Sequence, residues 1–240
     1  MDNAVYATLS RQEGLNQAMR LIASNLANVS TDGYRGEGTV FAEWVERIPV
    51  DGGVLSQATA TVRTTDFTQG GLKSTGAPLD LAIEGPGFFS VQAEGGVLLT
   101  RAGSFTLSPA GEIVASDGAR LLDEGGAPLA VPAAAERIDI ARDGTISADG
   151  APIGRVGVSV VADLSTLTRV ADTRFEPNGD VLPAGEAAAV SQGFIERSNV
   201  NAVLEMTRMI DVQRSYEAGQ SFLRSEDERM REAIRVFGSS

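Results

Sequence analysis

The chain has 240 residues, a net charge of -12 and a pI near 4.5, with neither cysteine nor histidine. The acidic balance argues against a nucleic-acid partner, because phosphate binding draws on clustered Lys and Arg. Without thiols or imidazoles, disulfides, thiolate metal sites and the usual general base are excluded, so no cofactor is expected and no enzymatic role is favoured.

The first element is an apolar repeat. Val5, Leu9, Leu15, Met19, Ile22, Leu26 and Val29, with Gln12 among them, step by three and four residues and hold one stripe on one helical face. No basic start with a signal core precedes it, and no run approaches ~20 consecutive apolar residues. Direct membrane insertion is therefore not expected, and composition alone points to the cytosol. Asn25 and Asn28 are poor choices for a helix interior and suit its end, so the helix is predicted to stop near Asn28. Gly33 then offers the positive φ of a tight turn, Tyr34 a ring for a neighbouring contact, and Arg35 a partner for an acid.

Residues 35–63, rich in Gly, Ala and Gln, read as extended strands or linker. From 64 to 183 the turn chemistry is dense. Asp117-Gly118, Asp143-Gly144, Asp149-Gly150 and Asn178-Gly179 follow an earlier Asp51-Gly52, and each lies near β-type residues. Segments such as 87–91, 103–107, 112–114, 137–140 and 156–160 are predicted strands of one antiparallel β domain, an irregular barrel or sandwich. Residues 184–198 read as a second linker.

The last element, from 199 to 240, repeats the helical spacing through Val203, Met206, Ile210, Gln213, Glu217, Gln220, Leu223, Asp227, Met230, Ile234 and Phe237. A seam of about two residues per heptad predicts that the two terminal helices pair as a coiled coil. The ends are almost neutral, since residues 1–36 balance three acids against three bases and residues 199–240 hold seven against six; nearly all the negative charge lies between them. Neutral ends pack together without self-repulsion while an acidic middle stays solvated. The expected class is α+β, mainly β, with long helices at both ends and a central antiparallel β domain. Its expected function is assembly.

Specific residues support this. The stretch Ser24-Asn25-Leu26-Ala27-Asn28-Val29-Ser30-Thr31-Asp32-Gly33-Tyr34-Arg35 resembles the amino-terminal motif of the bacterial flagellar rod and hook proteins. Gly85-Pro86-Gly87-Phe88-Phe89 with Leu99-Thr100-Arg101-Ala102-Gly103-Ser104-Phe105 is similar to the family's central β motif. Asn199-Val200-Asn201 with Glu205-Met206, Met209-Ile210, Gln213-Arg214 and Tyr216-Glu217 is similar to its carboxyl helix. The opening Met1 to Tyr6 and the stretch Asp80 to Gly85 are most similar to the proximal-rod member.

The resemblance implies a structural subunit of the basal-body rod, located in the periplasm and exported by the flagellar export apparatus without a cleaved signal. Its partners would be other copies of itself and neighbouring rod proteins. The implied assembly surface comprises the apolar repeats together with Asn25, Asn28, Gly33, Tyr34, Gln213 and Tyr216. Distal-rod and hook subunits are the alternatives within the family. Outside it, a carboxylate-based glycosidase would need a defined acid pair, and nothing among the 32 acids singles one out. The segment 143–150 lacks the alternating oxygen ligands of a calcium loop, and a surface adhesin would need an export signal.

Overall fold

The computed structural model describes residues 2–42, 48–50, 53–55 and 60–238. Helix α1 spans Asp2–Ala27 and helix α2 spans Ala202–Gly238. The chain divides into two compact units. One contains residues 1–27, 37–66 and 201–240, and the other 28–36 and 67–200.

In the helical unit, α2 starts where Asn201 caps it. The Asn201 side-chain oxygen accepts from the Val203 and Leu204 amides, which meet no carbonyl within the helix. The helices run antiparallel: Gln12 meets Tyr216, and Asn25 meets Glu205. The strand Glu37–Ala42 pairs antiparallel with Ala60–Thr65, and Ile48–Val50 pairs with Gly53–Leu55. The Asp51-Gly52 turn lies outside the described residues.

The predicted coiled coil is not what forms. One helix stands at each end, and the positions expected to make the seam are largely on the outside. Val203, Met206, Ile210 and Ile234 of α2 are 50 to 71% exposed, and Leu9 of α1 is 51% exposed. The buried stripe of α1 instead runs through Gln12, Ala18, Leu21, Ile22 and Asn25, which places Leu15, Met19 and Leu26 at its margin. Polar residues decide this geometry. Gln213, Glu217, Gln220 and Asp227 interrupt the α2 repeat, so no continuous dry seam is available, and the helices meet through small residues and amide hydrogen bonds.

The second unit is the expected central β domain, and every pairing between its described strands is antiparallel. Its hub is Phe88–Ala93, which pairs with Gly96–Thr100, Arg120–Leu121 and Val158–Val161 along different stretches of its length. Smaller sheets complete it. Leu81–Glu84 pairs with Ala189–Gln192, Leu72–Ser74 with Phe194–Glu196, and Ile138–Ile140, Thr145–Ala148 and Ala151–Arg155 form a meander. The turn closing the last hairpin is Asp149-Gly150, with both residues at positive φ, as a two-residue type I′ connection requires.

The main core gathers Leu81, Ile83, Phe89, Val91, Phe105, Ile113, Leu121 and Ile146. A second cluster joins Phe88, Leu99, Val161 and Phe175, with the Phe67 ring 5.9 Å from Phe88 and edge-on to it. Strands Ala189–Gln192 and Phe194–Glu196 are integral to this unit. A fragment of residues 64–183 should therefore fail to fold cooperatively, whereas 28–200 should melt in one transition. Circular dichroism melts of the two fragments check this.

Candidate functional site

Two features stand out, one in each unit. In the helical unit, the Gln12 amide nitrogen donates to the Tyr216 carbonyl at 3.0 Å, so its Oε1 must face away from that carbonyl. Among the described residues that buried oxygen receives no donor. The approach is close because α2 presents Gly219 there, and a Cβ at that position would lie 2.1 Å from Gln12 Nε2. Thr8, Arg11, Gln12, Leu15, Gly219 and Phe222 are among the residues around a groove of ≈ 440 Å³ between the helices.

At the other end of α1, Asn25 completes a backbone-like pairing. Its side chain donates to the Glu37 carbonyl at 2.7 Å and accepts from the Glu37 amide at 2.9 Å. It also donates to buried Glu205 Oε2. Asn25 was expected only as a residue suited to the helix end; its side chain anchors the strand that follows. The Glu205 carboxylate additionally accepts from Arg208, so its charge is not left alone in the contact.

In the β unit a buried clasp joins distant parts of the chain. Glu196 is fully buried and lies between two guanidinium groups, with Arg35 Nη2 at 2.7 Å from Oε1 and Arg101 Nη1 at 3.0 Å from Oε2. The Gly70 amide donates to Oε1 at 2.8 Å. Arg35 donates further to the Thr68 carbonyl, and Arg101 to the Gly85 carbonyl. Burial pulls the Arg101 guanidinium below its ordinary pKa; the adjacent Glu196 charge opposes this, and the like charge of Arg35 adds to it. Each charged group therefore has a partner or a carbonyl, the condition for keeping ions out of water.

Around the clasp, Gly33 adopts φ +71° and donates to the Glu196 carbonyl at 2.7 Å. Asn199 accepts from the Gly36 amide and donates to the Thr68 carbonyl. The Tyr34 ring is buried, with the Arg169 guanidinium carbon 4.9 Å from its centroid and 4.8 Å from that of Phe175. Asn28 ends the first helix as expected, accepting from Thr31 through both its carbonyl and its side chain.

The residues expected to form an assembly surface thus fall into three groups. Leu9, Val203, Met206, Ile210, Gln213 and Met230 with Ile234 face outward; Leu15, Met19, Leu26, Tyr216 and Leu223 are half-buried between the extremes. Ile22 and Asn25 are buried in the helical unit, Gly33 and Tyr34 are buried in the β unit, and Asn28 is half-buried at its turn. The Val5 side chain lies outside the described residues. Glu196 was missed: it sits in a stretch read as linker, and the one available signal was a lone acid following Phe194-Ile195 in a strand-like run. No group of three or more potential metal-ligating residues occurs among the described residues. None of the described helices is long and apolar enough to cross a membrane.

Residues 82–148 match the D1 domain of the flagellar hook protein FlgE/F/G family, and residues 191–236 match the C-terminal domain of the flagellar basal-body rod FlgEFG proteins. The flagellar basal-body rod protein FlgF of Caulobacter vibrioides is 36% identical, covering 99% of both chains. FlgF of Escherichia coli is 35% identical over the whole of both. The rod protein FlgG of Bacillus subtilis is 29% identical over 98% of this chain and 99% of its own. Taken with the capped terminal helices and the central β domain, this full-length likeness shows that the chain belongs to the flagellar basal-body rod protein family, a structural subunit of the basal-body rod that stands with other rod components and not an enzyme.

Proposed function

We propose that the chain occupies the proximal part of the rod and polymerises, with copies of itself and with neighbouring rod proteins, through the outer faces of α1 and α2. The product is a hollow shaft that carries torque, built from subunits delivered by the flagellar export apparatus without a cleaved signal. The observation that carries this reading is the exposure of large aliphatic residues on α2. Val203, Leu204, Met206, Ile210 and Ile234 are each at least half exposed, on a chain whose β core is closed. A face of that kind marks an interaction surface.

In this proposal the eighteen expected positions divide by role. Leu9, Val203, Met206, Ile210, Gln213, Met230 and Ile234 meet neighbours. Leu15, Met19, Leu26, Tyr216 and Leu223 flank those contacts. Ile22 and Asn25 hold together the helical unit that presents them, Asn28, Gly33 and Tyr34 hold the β unit, and Val5 completes the expected set.

Two substitutions separate surface from frame. Ile22→Asp puts a carboxylate into the buried stripe of α1 and should destabilise the helical unit by about 3 kcal/mol or more. Ile210→Asp should change monomer stability by only about 0.5 kcal/mol, as surface substitutions do, yet prevent assembly. Chemical denaturation and sedimentation of both variants test this. An Ile210→Asp protein that polymerised as readily as the parent would remove the surface from the proposal.

A further inference from the structure

Asn178-Gly179 is the one Asn-Gly pair of the chain, and both residues are exposed. The pair lies between strand Arg174–Pro177, which pairs with Leu167–Ala171, and strand Val181–Pro183, which pairs with Val158–Val161. Its conformation does not require glycine, because Gly179 is not among the residues at positive φ. Space requires it instead: a Cβ there would stand 3.1 Å from Thr166 Oγ1. With no side chain on Gly179, its backbone nitrogen is open to the carboxamide of the preceding residue.

A side-chain amide precedes a glycine at two other places, and there the glycine nitrogen is occupied. After Gln69, the Gly70 amide donates to Glu196 Oε1 at 2.8 Å, and after Gln192 the Gly193 amide donates to the Asp80 carbonyl at 2.7 Å. The Asp-Gly turns at Gly118 and Gly144 also have engaged amides, donating to the Ala115 and Ala141 carbonyls. Among the described residues the Gly179 amide makes no hydrogen bond. The one restraint on this pair lies on the other reactant. Asn178 Nδ2 donates to the Thr166 carbonyl at 3.1 Å and to Thr168 Oγ1 at 2.8 Å, so the carboxamide is held against the neighbouring strand.

We infer that Asn178-Gly179 is a site of spontaneous deamidation whose rate is governed by the bond to Thr168. Base removes the Gly179 amide proton, and the nitrogen attacks Asn178 Cγ to close a five-membered imide. The carboxamide nitrogen leaves with that proton as ammonia. Water, the only other reactant, then adds to either imide carbonyl and breaks one C–N bond, giving aspartate or isoaspartate. Ring closure must first give up the bonds from Nδ2, which is how Thr168 slows it. The product carboxylate has no hydrogen to donate to the Thr166 carbonyl, and isoaspartate also lengthens the main chain by one atom. Strand Leu167–Ala171 stands at the end of its sheet and carries Arg169, which donates to the Arg35 carbonyl and lies over Tyr34. The modification therefore loosens the strand that holds the Tyr34-Arg35 turn.

The intact protein is incubated in water enriched in heavy oxygen at neutral and mildly alkaline pH, then digested with trypsin and followed by mass spectrometry. The peptide 175–197 contains Asn178 as its only asparagine. It should take up solvent oxygen as its amide becomes an acid, faster at higher pH and faster than the exposed Asn201. A rate at Asn178 no greater than that at Asn201 would overturn the inference. Gly179→Ala should suppress the reaction, and an unchanged rate would mean that this nitrogen is not the nucleophile. Thr168→Val keeps the shape at an exposed position and should accelerate deamidation about two- to tenfold, the factor corresponding to the net contribution of one hydrogen bond. No acceleration would remove Thr168 from its role. Hydrogen exchange across Leu167–Ala171 should be faster in the deamidated protein than in the parent, and equal protection would refute the loosening.

Discussion

Replacing Glu196 with alanine should destabilise the β unit by about 3–5 kcal/mol, the range found when one partner of a buried ion pair is removed. The carboxylate is fully buried and is shared by Arg35, Arg101 and the Gly70 amide. Without it, two guanidinium groups remain in a dry site with no opposing charge, and the Gly70 amide loses its acceptor. Glu196→Gln tests how much of the effect is charge: the amide keeps the shape and one acceptor, but places an N–H against a guanidinium. Glutamine should recover only a small part of the loss. Urea denaturation followed by circular dichroism measures both variants. A Glu196→Ala protein within about 1 kcal/mol of the parent would show that the clasp contributes little to stability.

The second large effect is expected at Gly33. Its φ of +71° already disfavours any side chain by roughly 1–2 kcal/mol. In addition, an added Cβ would lie 2.1 Å from the Ala102 amide nitrogen and 2.4 Å from the Arg101 carbonyl carbon, and both are backbone atoms. Backbone cannot rotate aside as a side chain can, so the turn must open or the strand end must move. Either movement breaks the bond from the Gly33 amide to the Glu196 carbonyl and disturbs the neighbouring ion pairs. Gly33→Ala should therefore cost about 3 kcal/mol. Gly118→Ala should cost only the conformational part, because no atom stands within 4 Å of the Cβ it would carry. Comparing the two by thermal melting isolates the clash from the strain.

The helices and much of the β domain were legible because their signals are local. A period of three and four residues is visible at both ends, and Asp149-Gly150 announces its hairpin through the one turn type that needs two positive φ values. The partners of those elements were not legible in the same way. The heptad spacing at Leu9, Val203 and Ile210 described an apolar stripe correctly but not the direction it faces; the buried stripe follows Gln12 and Asn25, whose amides are matched to Tyr216 and Glu205 far along the chain and to Glu37 in the strand that follows the helix.

The clasp was hidden for a related reason. An arginine at 35 that can meet an acid is readable from the motif, but the acid lies 161 residues away in a segment whose Gly and Ala content resembles a linker. Tyr34 shows the limit from the other side. An aromatic ring in a terminal motif invites an intermolecular role, whereas here it is buried within its own unit against Arg169, a residue that no local pattern marks.

The hydrogen bond between Gln12 and Tyr216 spans 204 positions of the chain. At ribosomal rates of about 5–20 residues per second, the first helix waits roughly 10 to 40 s for its mate to be synthesised. An unfinished polypeptide that lacks Ala202–Gly238 therefore holds α1 without the helix it pairs with, and the helical unit closes only after the whole β unit has been synthesised.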